Sequence, residues 1–282
     1  MIARKSVYLE KNCTMHHSVF QVLAVHPDGQ MEAGTAWFSA DAQAYARSKF
    51  PHLAENSLYG LTNNHVVTPS SRGTVEEITV TMPDGKEYDA ELVGADAASD
   101  LAVLKIKSDR EFPFVKFGNS NQARVGDWVI AIGNPFGLGG TVTSGIISSV
   151  LRTAGGGAYD RYLQTDASIN RGNSGGPLFD MQGNVIGVNN AIISPTGGSV
   201  GIGFAIPAEI AAPIVEQLKN GQEVERGYLG VSIQPVDDDL AESLGLERNR
   251  GEIVQFVEPG QGAEKAGLEA GDIVVSVNNQ AV

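Results

Sequence analysis

The chain has 282 residues, 42% hydrophobic and 19% charged, with a formal net charge of −13. That suits a globular protein of about two domains with a sizeable core. A surface this acidic repels phosphate backbones and anionic bilayers, which argues against nucleic acid or a membrane surface as partner.

Residues 1–17 carry basic side chains but no apolar h-region, so they are not read as a secretory signal peptide. The expectation is a cytoplasmic chain or one shortened at its N-terminus. The single cysteine, Cys13, cannot form an internal disulfide and is read as an incidental hydrophobe. From residue 18 to 207, short runs rich in Val, Ile and Leu recur at 19–25, 34–40, 58–67, 76–82, 101–106, 127–133, 141–150, 184–190 and 201–207. Gly-rich turns separate them, at 83–85, 136–140, 153–158 and 195–198 among others. Many short strands between such turns predict a barrel or a sandwich, a mainly β fold. Residues 41–57 are polar and read as an insertion between two strands. Residues 208–220 place Ile210, Ile214 and Leu218 on one helical face, with Gly221 as a stop and Pro213 expected to disturb the first turns. The polar stretch 223–226 reads as a linker, and a second α+β module follows over 226–282. No apolar run approaches the ~20 residues of a membrane span.

Gly172-Asn173-Ser174-Gly175-Gly176-Pro177 carries the strongest chemical signal. A nucleophilic serine needs an exposed hydroxyl and backbone N–H groups converging on a developing oxyanion, and flanking glycines allow the tight backbone this requires. The same residue types also suit an ordinary surface turn. The base must be a histidine, and of His16, His17, His26, His52 and His65 only His65 closes an apolar, strand-like run. Such a position would hold the imidazole at a rigid strand edge. Asp100, leading directly into the apolar run from Leu101, is the acid that would orient it, with Asp96 as the weaker choice. The order His, Asp, Ser is that of chymotrypsin-type enzymes and differs from α/β-hydrolases, which also need a G-x-S-x-G elbow. No H-E-x-x-H, phosphate loop or dinucleotide fingerprint occurs, so neither metal nor cofactor is expected.

The segments TNNHVV, SDLAVLKI, GNPFGLGGTVTSGIIS, LQTDASINRGNSGGPL and GIGFAIP resemble the HtrA/Deg family of serine proteases. The resemblance implies a trypsin-like double six-stranded β-barrel over 18–207, a helix and linker over 208–225, and a PDZ domain, here partial, over 226–282. It implies ATP-independent degradation of unfolded or damaged proteins, assembly as a homotrimer or a multiple of one, and a location usually in the periplasm or cell envelope. His65, Asp100 and Ser174 fall on the family's triad, and Gly172, Asn173 and Ser174 on its oxyanion hole. Ser168 lies six residues before the nucleophile, at the base of the S1 pocket in trypsin-like enzymes, where it offers no carboxylate to a basic side chain. Ile169, Ile192 and Ile193 fall where the family lines that pocket, which implies a small or medium aliphatic P1 residue. Asn173 stands where digestive relatives have Asp, so activation by pairing with a new N-terminus is not expected. The Gly-bearing loops 136–140, 153–158 and 190–200 are the expected activating elements. Tyr228, Leu229, Gly230 and Val231 match the PDZ carboxylate loop, which would grip a peptide C-terminus. The competing expectation is a catalytically idle chaperone-like or PDZ peptide-binding scaffold.

Overall fold

The computed structural model describes residues 19–25, 31–38, 57–68, 77–82, 84–109, 112, 115–134, 140–152, 161–236, 238–244, 251–277 and 280–281. Cys13, His16, His17, His26, His52 and nearly all of the 41–57 insertion lie outside them. Contacts divide the chain into two units, Met1–Val224 and Glu225–Val282.

The first unit contains two closed barrels. Strands β1 (Val19–Val25), β2 (Met31–Phe38), β3 (Ser57–Thr62), β4 (Glu77–Thr81), β5 (Glu87–Asp96) and β6 (Leu101–Lys107) form one, in the order β1-β2-β3-β6-β5-β4. Pairing of β1 with β4 closes it. The second barrel comprises β7 (Trp128–Gly133), β8 (Thr141–Arg152), β9 (Tyr162–Thr165), β10 (Pro177–Phe179), β11 (Val185–Ile192) and β12 (Gly203–Pro207). Its order is β10-β11-β12-β9-β8-β7, and β10 pairs with β7.

Alternation along the strands explains how one chain fills three cores. In β6, Ala102, Leu104 and Ile106 point into the first barrel, against Ile78, Val80 and Phe112. Leu101 and Val103 point the other way, into a core shared between the barrels. In β7, Val129 and Ala131 face the second barrel's interior, while Ile130 and Ile132 face that shared core. Helix α1 (Asn64–Val67) is a single turn that follows β3. Helix α2 (Ala208–Lys219) runs through Pro213 without ending and lays Ala211, Ile214, Val215 and Leu218 onto the shared core. It therefore belongs structurally to the barrel unit. It approaches β5 closely because Gly94, at an irregularity in that strand, has no side chain: a Cβ there would stand 3.1 Å from the Leu218 carbonyl oxygen.

In the barrel unit, three of the described strands gave no sequence signal. β5 is largely solvated and its polar residues break any apolar run. β9 and β10 are only four and three residues long. One expectation is corrected: the run 58–67 is not continuous strand. β3 stops at Thr62, and His65 stands on the helical turn α1, whose Val66 and Val67 are buried in the first barrel.

In the second unit, β13 (Val231–Pro235), β14 (Glu252–Val257) and β15 (Ile273–Val274) form a sheet in that order. Helices α3 (Asp238–Leu244) and α4 (Gly262–Lys265) accompany it, and β16 (Ser276–Val277) pairs with β17 (Gln280–Ala281).

Candidate active site

The first barrel supplies an acid and an imidazole. The turn 97–100 before β6 is closed by Asp96, whose carboxylate accepts from both the N–H and the hydroxyl of Ser99. Asp96 is thereby occupied as a turn residue. Asp100 ends that turn at φ +56°, a left-handed conformation that Asp tolerates better than most side chains. Two donors hold its main chain there: the Asn63 side-chain amide at 2.8 Å and the Asn64 N–H at 3.1 Å, both on the Asp100 carbonyl. The Asp100 side chain then meets α1. Its Oδ1 accepts the His65 N–H at 2.8 Å, and its Oδ2 lies 2.6 Å from His65 Nδ1. A carboxylate there selects the tautomer protonated at Nδ1 and leaves Nε2 with a lone pair. The imidazole is about half exposed.

The second barrel supplies the hydroxyl. Residues 166–176 connect β9 to β10 and are pinned repeatedly. Asp166 Oδ1 accepts the Ile146 N–H at 2.7 Å, and Thr143 Oγ1 donates to the Ser168 carbonyl at 3.0 Å. The Asn173 N–H donates to Asn170, and the Gly176 N–H to Asn173, both at 3.0 Å. The Gly175 N–H donates to the Asn189 carbonyl of β11 at 2.8 Å. Gly172 and Gly175, on either side of Asn173-Ser174, sit at φ +102° and +85°, where a side chain would strain the turn. Gly133, at the end of β7, lets this loop lie flat: its Cβ would come within 2.9 Å of Asn173 Cα. Asn173 is 2% exposed, and its Nδ2 reaches the Ser168 carbonyl at 3.5 Å.

Of the four expected pocket residues, Ser168 and Ile193 are exposed and Ile192 is half-buried. Ile169 turns inward and packs with Val129, Ile147 and Leu163 in the second barrel. The loop 190–200 is held to the loop bearing Ser174 by Asn170 Oδ1, which accepts the Ser199 N–H at 2.9 Å. Residues 135–139 and 153–160 lie outside the described residues.

Asn190 brings the two halves together. Its Nδ2 donates to Asp100 Oδ2 at 2.6 Å, and its backbone carbonyl receives the Ser174 hydroxyl at 3.5 Å. The acid, the imidazole and the serine therefore share one cleft between the barrels. Among the described residues, no hydrogen bond joins Ser174 Oγ to His65.

Two family profiles match the chain, a trypsin-like peptidase domain over residues 53–188 and a PDZ domain over 217–282. Over 225 residues the chain is 54% identical to a protein of Brucella suis biovar 1 (strain 1330) named probable periplasmic serine endoprotease DegP-like. The solved structure titled HtrA-type protease AlgW with tripeptide aligns at a TM-score of 0.76 and 40% identity, over 97% of this chain and 84% of that one. The chain belongs to the HtrA family of serine proteases. A serine endoprotease from Yersinia pestis matches this HtrA protein at a TM-score of 0.64 and 34% identity, over 97% of this chain and 83% of the other. A DegP-like relative from Rhizobium meliloti (strain 1021) is 54% identical over 224 residues, again with the name periplasmic. These alignments take in 79% of the HtrA chain, yet it spans only 43% of the Brucella relative and 44% of the Rhizobium one. Among its described residues, no helix is long and apolar enough to cross a membrane.

In the HtrA chain's second unit, the loop before β13 exposes Tyr228 and Leu229 and buries Gly230 at φ +74°. The Leu229 carbonyl accepts the Ala263 N–H at 2.8 Å, and the Gly230 carbonyl accepts the Glu258 N–H at 2.7 Å. Tyr228 donates its hydroxyl to Glu258 at 2.6 Å, and that carboxylate pushes the phenol above its ordinary pKa. β13 pairs with β14 on one side only, so its other edge is open among the described residues.

Sequence reasoning missed Asn63 and Asn190. The only trace of the second is a pair of asparagines ending the apolar run of β11, both buried. Buried amides at a strand end ask for partners, and that question alone would have singled them out.

Proposed function

We propose that this chain is an ATP-independent serine endopeptidase of protein quality control, cutting unfolded or damaged polypeptides through an acyl-enzyme on Ser174. His65 Nε2 takes the Ser174 proton as Oγ adds to the scissile carbonyl, and returns it to the leaving amine. Asp100 keeps the imidazole in the required tautomer and stabilises its protonated form. The N–H groups of Gly172 and Ser174, either side of Asn173, receive the oxyanion. Water then repeats the cycle on the ester. The observation that carries this reading is the link through Asn190, which puts the His65–Asp100 pair and Ser174 in one cleft. Fluorophosphonate labelling with mass spectrometry tests it. An adduct on Ser174, lost in Ser174→Ala together with casein hydrolysis, is expected; no adduct on Ser174 would refute it.

The pocket lined by Ser168, Ile192 and Ile193, with Ile169 buried behind it in the second barrel, takes a small or medium aliphatic P1 side chain. Matched peptides should be cleaved faster after Val than after Arg; the reverse would overturn the pocket assignment. Residues 18–207 make up the protease domain, the helix and connection of 208–225 follow with α2 packed onto it, and 226–282 belong to a PDZ domain. There Tyr228, Leu229, Gly230 and Val231 receive a C-terminal carboxylate while the open edge of β13 accepts the peptide as an added strand. The periplasm is the compartment we propose, from the names of the relatives, and a homotrimer or higher multiple is the assembly. The Ser174 hydroxyl, resting on Asn190 and not on His65, favours one second reading: an idle, chaperone-like scaffold. The labelling experiment separates the two.

A further inference from the structure

We infer that Asn190 is a positioning residue for this peptidase, aiming the Asp100 carboxylate at His65 and tying that pair to the strand behind the nucleophile. The inference rests on the catalytic roles proposed above.

Strand β11 bulges at this residue. In its pairing with β12, Asn189 lies opposite Ala205 and Ala191 lies opposite Phe204, so Asn190 has no partner in the ladder. A bulge turns the extra residue out of register and re-aims its side chain. Here the displaced amide is 9% exposed and points out of its own barrel to a residue ninety positions earlier. A carboxylate oxygen only accepts, so the amide must present its NH2 to Asp100. Asp100 then receives three donors. His65 Nδ1 and Asn190 Nδ2 converge on Oδ2, each at 2.6 Å, and the His65 N–H holds Oδ1 at 2.8 Å. With only the two His65 contacts the carboxylate could pivot about them. The third, from the opposite barrel, fixes its plane.

The neighbouring residue anchors the other side. Asn189 exchanges two backbone hydrogen bonds with the nucleophile loop, accepting from Gly175 at 2.8 Å and donating to Gly176 at 2.7 Å. The bulge thus places consecutive asparagines on the two halves of the site. Asn189 holds the loop that carries Ser174, and Asn190 holds the acid. A shift of β11 would misalign both at once.

The test uses the whole chain and two near-isosteric variants, Asn190→Leu and Asn190→Asp. It follows peptide cleavage and fluorophosphonate labelling from about pH 5 to pH 9, alongside thermal melts. Asn190→Leu removes the donor, and kcat should fall about ten-fold with KM unchanged. Asn190→Asp sets a second carboxylate against Asp100. Carboxylates this close share one proton, which stands in for the lost donor until it leaves, so a base limb of kcat/KM should appear about one pH unit below that of the wild type. A residue that merely supports the fold would lower the melt without moving that limb. Should Asn190→Leu not fold, the limb of Asn190→Asp carries the test. Folded variants with wild-type kcat and an unmoved limb would overturn the inference. Failure of the wild type to label at Ser174 would overturn the protease reading instead, and is seen before the variants are compared.

Discussion

Asn173 shows how much a single atom type decides next to Ser174. It is buried, its Nδ2 reaches the Ser168 carbonyl, and its Oδ1 has no partner. The neutral amide tolerates that site at modest cost, whereas a carboxylate there would be buried and would face the Ser168 carbonyl. Asn173→Asp should therefore raise the pKa of the introduced acid above its unfolded value. The destabilisation should be small near pH 4 and grow as pH rises through the folded pKa. We expect its melting temperature to drop by roughly 5 °C more at about pH 8 than at about pH 5, relative to wild type. An equal drop at both pH values would mean that the site solvates the charge. At this scale legibility followed chemistry. His65, Asp100 and Ser174 could be singled out because acyl transfer asks for those residue types in that order, each beside a motif of its own: the run closing at His65, the apolar run from Leu101, and the Gly-flanked Ser174. Asn63 and Asn190 were not, since an asparagine at a strand end has no periodicity and its use arises from a turn and a bulge.

Among the elements, α2 is the one whose loss would be felt furthest. Leu218 is 2% exposed on the shared core, beside Ile214 and Val215 and directly over Gly94 of β5. Leu218→Ala should cost about 2–5 kcal/mol, read as a lower urea midpoint with an unchanged slope. A loss under about 1 kcal/mol would show that the helix is only loosely applied. The spacing of Ile210, Ile214 and Leu218 made this helix readable. Strands with a strong apolar face, such as β6 and β7, were readable for the same reason. β5 was not, because most of its side chains meet solvent. The turn bearing His65 was misread because Val66 and Val67 extend the apolar run of β3. Two adjacent buried valines fit a strand whose two faces are both covered as well as they fit a helical turn driven into a barrel.

For the whole molecule, composition and turns left barrel and sandwich open. What separates them is pairing between strands far apart in sequence, β1 with β4 and β7 with β10, and no local pattern encodes that closure. Only the likeness to a known family could supply it in advance. The exposed apolar side chains Val125 and Trp128 at the start of the second barrel mark a surface that the proposed trimer could cover. Sedimentation of wild type against Trp128→Glu tests this: dissociation is expected, and an unchanged mass would clear that surface of the role.

The cleft also makes the molecule its own strain gauge. Because Asp100 and His65 come from one barrel and Ser174 from the other, turnover by the proposed mechanism reports on the seam joining them. Each barrel can keep its hydrogen-bonded ladder after the seam has slipped by an ångström, and far-ultraviolet dichroism would register nothing. On slow heating, cleavage of a short peptide should fade several degrees before ellipticity does. Superimposable curves would mean that seam and barrels come apart as one cooperative body.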